Sequence, residues 1–173
     1  MEKSSVLTES SPLPTPAWRP TLLTLYSASG LAIAAVVHFG SYLGTTIQPT
    51  NPLFFALHLG VFPAFGLCVF RSQRWQGKRR LFSESEPGHM EELMAYFPRW
   101  VFTVAALLFA YTFANFWLSF GHLSTNHGTP SPHEALMTVR AFSGHWLLFY
   151  AFPTLYSGFV PADAHPRDRV TAR

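Results

Sequence analysis

"AVVHFGSYLGTTIQPTNPLFFALHLGVF", Ala35 to Phe62, joins two apolar runs through a polar hinge and places one histidine in each run. It contains no Asp, Glu, Lys or Arg, and the uncharged stretch around it extends from Pro20 to Phe70. A helix needs about 20 mostly apolar residues to cross about 30 Å of hydrocarbon. The stretch is long enough for two such helices, and "TTIQPTNP", Thr45–Pro52, divides it. Two further uncharged stretches follow, from Trp100 to His133 and from Ala141 to Ala162. The chain of 173 residues is 49% hydrophobic, 16% aromatic and only 12% charged, against about 25% charged in soluble domains. The expected fold is therefore all-α: an integral membrane four-helix bundle with spans at about 21–44, 52–70, 98–120 and 139–160.

Charge placement orients that bundle. With four spans, Lys3, Arg19, Arg71, Arg74, Lys78, Arg79, Arg80, Arg99, Arg167, Arg169 and Arg173 fall on one side, and Arg140 alone falls on the other. Lys and Arg gather on the cytoplasmic side of membrane proteins. Both termini and the second loop are thus expected in the cytoplasm, in what reads as the cytoplasmic (inner) membrane of a bacterium. The same placement explains the net charge of +3 without nucleic acid. Residues 1–20 are rich in Ser and Pro and lack the basic start and short apolar core of a signal peptide; they read as a disordered tail before a retained helix. Trp18 and Pro20 suit an interfacial helix entry. A short amphipathic helix is expected over 87–97, before the third span, with Met90, Leu93, Met94 and Phe97 on one side. Residues 161–173 read as a polar tail. The single cysteine, Cys68, permits no internal disulfide and reads as a small packing residue.

This topology turns scattered histidines into a pattern. His38 lies six residues before Gly44, His58 six after Pro52 and His145 six after Val139, so each is about 9 Å below the outer edge at 1.5 Å per residue. His122 follows the third span at the same end. Imidazole facing lipid is unfavourable, so these rings are expected to turn inward. Ser27, Gly30, Ala34, His38 and Ser41 form one stripe on the first helix. Thr112, Asn115, Ser119 and His122 form another on the third, and Ala56, Gly60 and Ala64 a small-residue stripe on the second, with a bend expected at Pro63.

Several functions answer to that cluster. One b-type haem could take two of His38, His58 and His145 as ligands from facing helices, with the remaining His on a propionate. The architecture resembles, in general look only, small haem-carrying membrane subunits. Copper or zinc could take the same imidazoles, with His127, His133 and Glu134 in the outer loop nearby, although no tight His-x3-His spacing occurs. A quinone or proton site is a third reading. In the fourth, each His bonds a backbone carbonyl, Ser or Asn across the bundle, and the chain is a non-catalytic scaffold or accessory subunit of a larger complex, or pairs as a homodimer through small-residue stripes. Arg140 reads as an interfacial anchor, a lipid-phosphate contact or a partner for Glu134. No phosphate loop or nucleophile elbow occurs, no acid lies within a span, and a stand-alone enzyme is not expected.

Overall fold

The computed structural model describes residues 18–45, 47–75, 94–120 and 131–160. They form four helices and, among the described residues, no strand: α1 (Leu22–Tyr42), α2 (Pro52–Trp75), α3 (Arg99–Phe120) and α4 (Pro132–Phe159). The amphipathic helix expected over 87–97 lies mostly outside the described residues, as do both tails. Side-chain capping starts two of the helices. The Thr21 hydroxyl accepts from the Thr24 amide, and Thr24 returns the bond to the Thr21 backbone. Ser131 and Glu134 do the same for α4, with Pro132 in the first turn, where no amide hydrogen is needed.

That second capping box corrects the fourth expected span. α4 begins at Pro132, not near Val139, so His133 and Glu134 belong to its first turn and not to a loop. α2 also runs on past Phe70 to Trp75, because Arg and Gln are good helix formers outside hydrocarbon. Pro63 and Pro153 both sit inside continuous helices.

α1, residues Pro52–Ser72 of α2 and residues Arg99–Ser119 of α3 are long and apolar enough to cross a membrane. α4 is not among them. It carries Glu134, Arg140 and a series of Ser, Thr and Gly residues, and it stands at the hub. α1, α2 and α3 each pack against α4, and α1 also packs against α2, whereas the backbones of α2 and α3 do not approach each other. Bonds along the α1–α4 seam set the directions. Thr24 pairs with Ser157 at 2.9 Å and His38 with Ser143 at 2.7 Å; fourteen residues up one helix match fourteen down the other, so the two run antiparallel. α3 is also antiparallel to α4, with Thr112 bonded to the Gly144 carbonyl and Trp100 beside Phe159. α2 runs parallel to it, with Trp146 on His58 and Arg71 on the Val160 carbonyl. Arg19, Arg71 and Arg99 consequently lie at one end of the bundle, and Arg140 lies toward the other.

Burial is inverted relative to a water-soluble bundle. The interior holds Thr24, Ser27, His38, Ser41, Thr112, Asn115, Ser119, Ser143, Thr154 and Ser157, all buried. The outer surface presents Val36 (74% exposed), Leu107 (66%), Trp117 (73%) and Leu118 (72%), among many others. Water would penalise so much contiguous apolar surface, whereas lipid is as apolar as those side chains and leaves small and polar residues to bind helix to helix. The surface fits a bilayer.

Close helix-to-helix packing centres on Tyr150 of α4. Its ring occupies the space a side chain at Gly30 of α1 would need, and its hydroxyl the space one at Gly60 of α2 would need. The hydroxyl donates to the Leu57 carbonyl at 2.9 Å, and Tyr26 donates to the Gly60 carbonyl at 3.0 Å. Gly30 and Gly60 thus serve a contact within the chain. The small-residue stripe on α2 needs correcting: Ala56 is exposed, and the buried face is Phe54, Leu57, Val61, Ala64 and Cys68. Replacing Gly30 with Leu should push α1 off α4 and lower the stability of the detergent-solubilised chain by about 1–3 kcal/mol or more, as overpacking does. Equilibrium unfolding followed by circular dichroism checks this, and an unchanged midpoint would remove Tyr150 from the centre of the packing.

Candidate functional site

The histidines sort into two places. His38 is fully buried between α1, α3 and α4. Its Nδ1 lies 2.7 Å from Ser143 Oγ and its Nε2 2.5 Å from the Tyr111 hydroxyl. One assignment satisfies every group: Tyr111 donates to Nε2, Nδ1–H donates to Ser143, and Ser143 donates to the Arg140 carbonyl at 3.4 Å. With both nitrogens occupied, His38 has no lone pair to offer a metal unless one of these bonds breaks.

Around it the polar stripes of α1 and α3 meet α4. Asn115 donates to the Arg140 carbonyl at 2.8 Å and accepts from the Tyr42 hydroxyl at 2.9 Å. Thr112 donates to the Gly144 carbonyl at 3.2 Å. Arg140 turns onto the end of α1. Its Nη2 donates to the Ser41 carbonyl at 2.7 Å, and its guanidinium lies 4.5 Å from the centre of the Tyr42 ring. A cation at this point faces the last carbonyls of α1, the negative end of that helix's dipole.

His58 and His145 belong to a different feature. Because α2 and α3 do not meet, a cleft remains between them with α4 as its floor, enclosing a cavity of about 450 Å³. His58, His145, Phe62, Phe116, Phe142 and Trp146 are among its lining residues. Such a volume lies in the range of small-molecule sites, about 300–1,000 Å³. The lining is almost wholly carbon, and it includes Phe62, which is exposed on the outer surface in mid-helix.

Each of these two rings has its tautomer set by a neighbour. His145 Nδ1 is 2.8 Å from the Ala141 carbonyl, which only accepts, so Nδ1 carries the hydrogen and Nε2 the lone pair. His58 Nδ1 is 3.3 Å from Trp146 Nε1, which only donates, so the lone pair is on Nδ1 and the hydrogen on Nε2. The rings also pack edge-on against aromatics, His145 on Phe116 at 4.6 Å and His58 on Phe142 at 5.4 Å between centroids.

The three histidines nevertheless share a level. His38 contacts Ser143 and His58 contacts Trp146, three residues apart on α4 and thus about 4.5 Å along its axis. They differ in direction: Ser143 faces α1, and His145, two residues on, is turned by about 200°. Among the described residues, no three His, Cys, Asp or Glu side chains gather as metal ligands. His122 and His127 lie outside the described residues. Tyr111, Phe116, Phe142 and Trp146 carry weight that the histidine pattern alone did not assign to them. Tyr111 is one turn from Asn115 on the polar side of α3, and Trp146 adjoins His145, so both had a positional signal.

His38→Ala should cost about 2–4 kcal/mol, since it empties a packed site and strands Ser143 and Tyr111, whereas Tyr111→Phe should cost about 0.6 kcal/mol, as single interhelical bonds do. The double variant should be less destabilised than the sum, because the two share one bond; strict additivity in chemical unfolding would show that the bond contributes nothing. Comparison with models of known families, with characterised proteins and with solved structures finds no match to this chain.

Proposed function

We propose that this chain is a small integral membrane subunit that holds a redox-active ring group in the cleft between α2 and α3. In this reading it serves electron transfer within a larger membrane complex and does not act as a stand-alone enzyme. It threads the cytoplasmic membrane of a bacterium four times, with both termini in the cytoplasm. One observation carries the reading: two imidazoles from different helices line one aromatic-walled cavity, whose lining includes the outward-exposed Phe62. The gathering of Arg19, Arg71 and Arg99 at one end of the bundle supports the orientation.

Haem b is one group such a cleft could hold. His145 would be the residue to hold its iron, because its Nδ1–H is anchored on the Ala141 carbonyl, the outer-shell bond that orients metal-binding histidines. His58 does not fit a second ligand through Nε2 while Trp146 donates to its Nδ1. Bound there, haem would supply a one-electron couple; the chain's own part would be to surround it with aromatic walls and to exclude water.

The second reading is the non-catalytic scaffold. The saturated bonding of His38 favours it, because this imidazole is fully explained by helix association. Absorption spectroscopy and extraction of the purified protein separate the two. A redox-active chromophore at about one per chain, lost in His145→Ala but retained in His38→Ala, supports the subunit reading. A preparation with no chromophore, metal or extractable ring compound, and none taken up on reconstitution, leaves the scaffold.

A further inference from the structure

We infer that the basic end of the bundle binds an anionic phospholipid of the cytoplasmic leaflet, its headgroup held by Arg19 and Arg99 with Trp18 and Trp100 beside it. The last residues of α4 bring these groups to one level. The Arg19 amide donates to the Gly158 carbonyl, and the Trp18 ring fills the space a side chain at Gly158 would need. The Phe159 ring lies 5.2 Å from that of Trp18 and 6.0 Å from that of Trp100, between centroids. The Arg71 guanidinium donates to the Val160 carbonyl at 3.3 Å and to the Thr21 hydroxyl at 3.5 Å. Residues 158–160 cover only about 3 Å of helix axis, so three elements deliver a cation to the same end of α4. Arg71 is engaged with the chain and adds charge. Arg19 and Arg99, each next in sequence to one of the two tryptophans, are exposed. α1 and α3 also begin here, and helix N-termini carry partial positive charge. The only carboxylate among the described residues, Glu134, is at the opposite end of α4, about 36 Å away at 1.5 Å per residue. Depth selects the anion. Trp18 and Trp100 are about half exposed, at 48% and 53%, while packing on Phe159, and such rings sit at the headgroup level of a bilayer. Cations at that level face the anionic lipid of the cytoplasmic leaflet. This surface is separate from the cleft and serves a redox subunit and a scaffold alike.

Tryptophan fluorescence supplies the test, because bromine on an acyl chain quenches an indole it touches. The full chain is placed in phosphatidylcholine nanodiscs that carry a minor fraction of brominated phosphatidylglycerol, and in matched discs that carry brominated phosphatidylcholine instead. Quenching in the first should exceed that in the second, corresponding to phosphatidylglycerol enriched about fivefold or more beside the chain, as the attraction of even one arginine to anionic lipid implies. The excess should vanish at high salt, where the screening length falls to about 3 Å at 1 M. Arg19→Gln combined with Arg99→Gln should abolish it, with an unfolding midpoint in phosphatidylcholine that matches the parent, since both side chains are exposed. Arg19→Lys with Arg99→Lys should keep most of it, which separates lost charge from lost fold. Replacing Lys78, Arg79 and Arg80 with Gln should leave the excess in place. Equal quenching by the two lipids overturns the proposal. So does an excess that survives the paired Gln variant, or one that the Lys78, Arg79 and Arg80 variant removes, which would assign the attraction to the second loop.

Discussion

A polar group inside hydrocarbon has no water to turn to, and this one constraint governs the whole arrangement. α4 carries the residues that most need partners: Arg140, Ser143, His145, Trp146, Tyr150, Thr154 and Ser157. Some are satisfied within the helix, as Thr154 is on the Tyr150 carbonyl at 2.7 Å and Ser157 on the Pro153 carbonyl at 2.6 Å. His145 likewise bonds the Ala141 carbonyl; Arg140, Ser143 and Ser157 reach α1, Trp146 and Tyr150 reach α2, and α3 reaches back with Thr112 and Asn115 on α4 carbonyls. A helix with polar needs on every side has to be surrounded, so α4 becomes the hub and the three apolar helices become its coat. Lipid-facing Leu, Phe, Val and Trp follow from the coat's position and need no separate cause.

The same constraint explains what could be read from the residues and what could not. Three helices long and apolar enough to cross a bilayer were legible because a lack of charge over about 20 residues is itself the physical requirement for crossing. The polar stripes of α1 and α3 were legible because spacing at three and four residues is helix geometry. The start of α4 was misplaced because absence of charge cannot mark a helix whose first two turns lie beyond the apolar stretch; "SPHE" at 131–134 was the signal, through its Ser–Glu capping box. Ala56 was misassigned for a related reason. Small residues mark close approach only where a large side chain arrives from the other helix, and Tyr150 arrives at Gly60.

The histidines show the limit most clearly. Depth along a span follows from counting, and the contacts of His38, His58 and His145 fall within about one turn of α4. Azimuth depends on which helices are neighbours, and no single sequence contains that. Two residues along α4 separate the position that bonds His38 from His145, and two residues place them on opposite sides of the helix. One cluster of three imidazoles at a common depth thus becomes one structural imidazole and one pair facing a cavity.

The division has a physical logic. α1 meets α3 and α4 through bonds that occupy its polar groups: His38, Tyr42 and Ser41 each find a partner there. α2 is held to α4 by an aromatic seam and by hydrogen bonds to Trp146 and Tyr150, and α3 is held by Thr112 and Asn115. No bond joins α2 to α3 among the described residues. The bundle is tight on the side where polar groups pair and open on the side where they do not, and the open side is the one lined with rings. Closing the α2–α3 gap would bring Phe62 and Phe116 together, but in lipid that burial would gain little, because acyl chains are as apolar as the rings they would cover. A cleft that would collapse in water can therefore persist in a bilayer, and His58 and His145 line it.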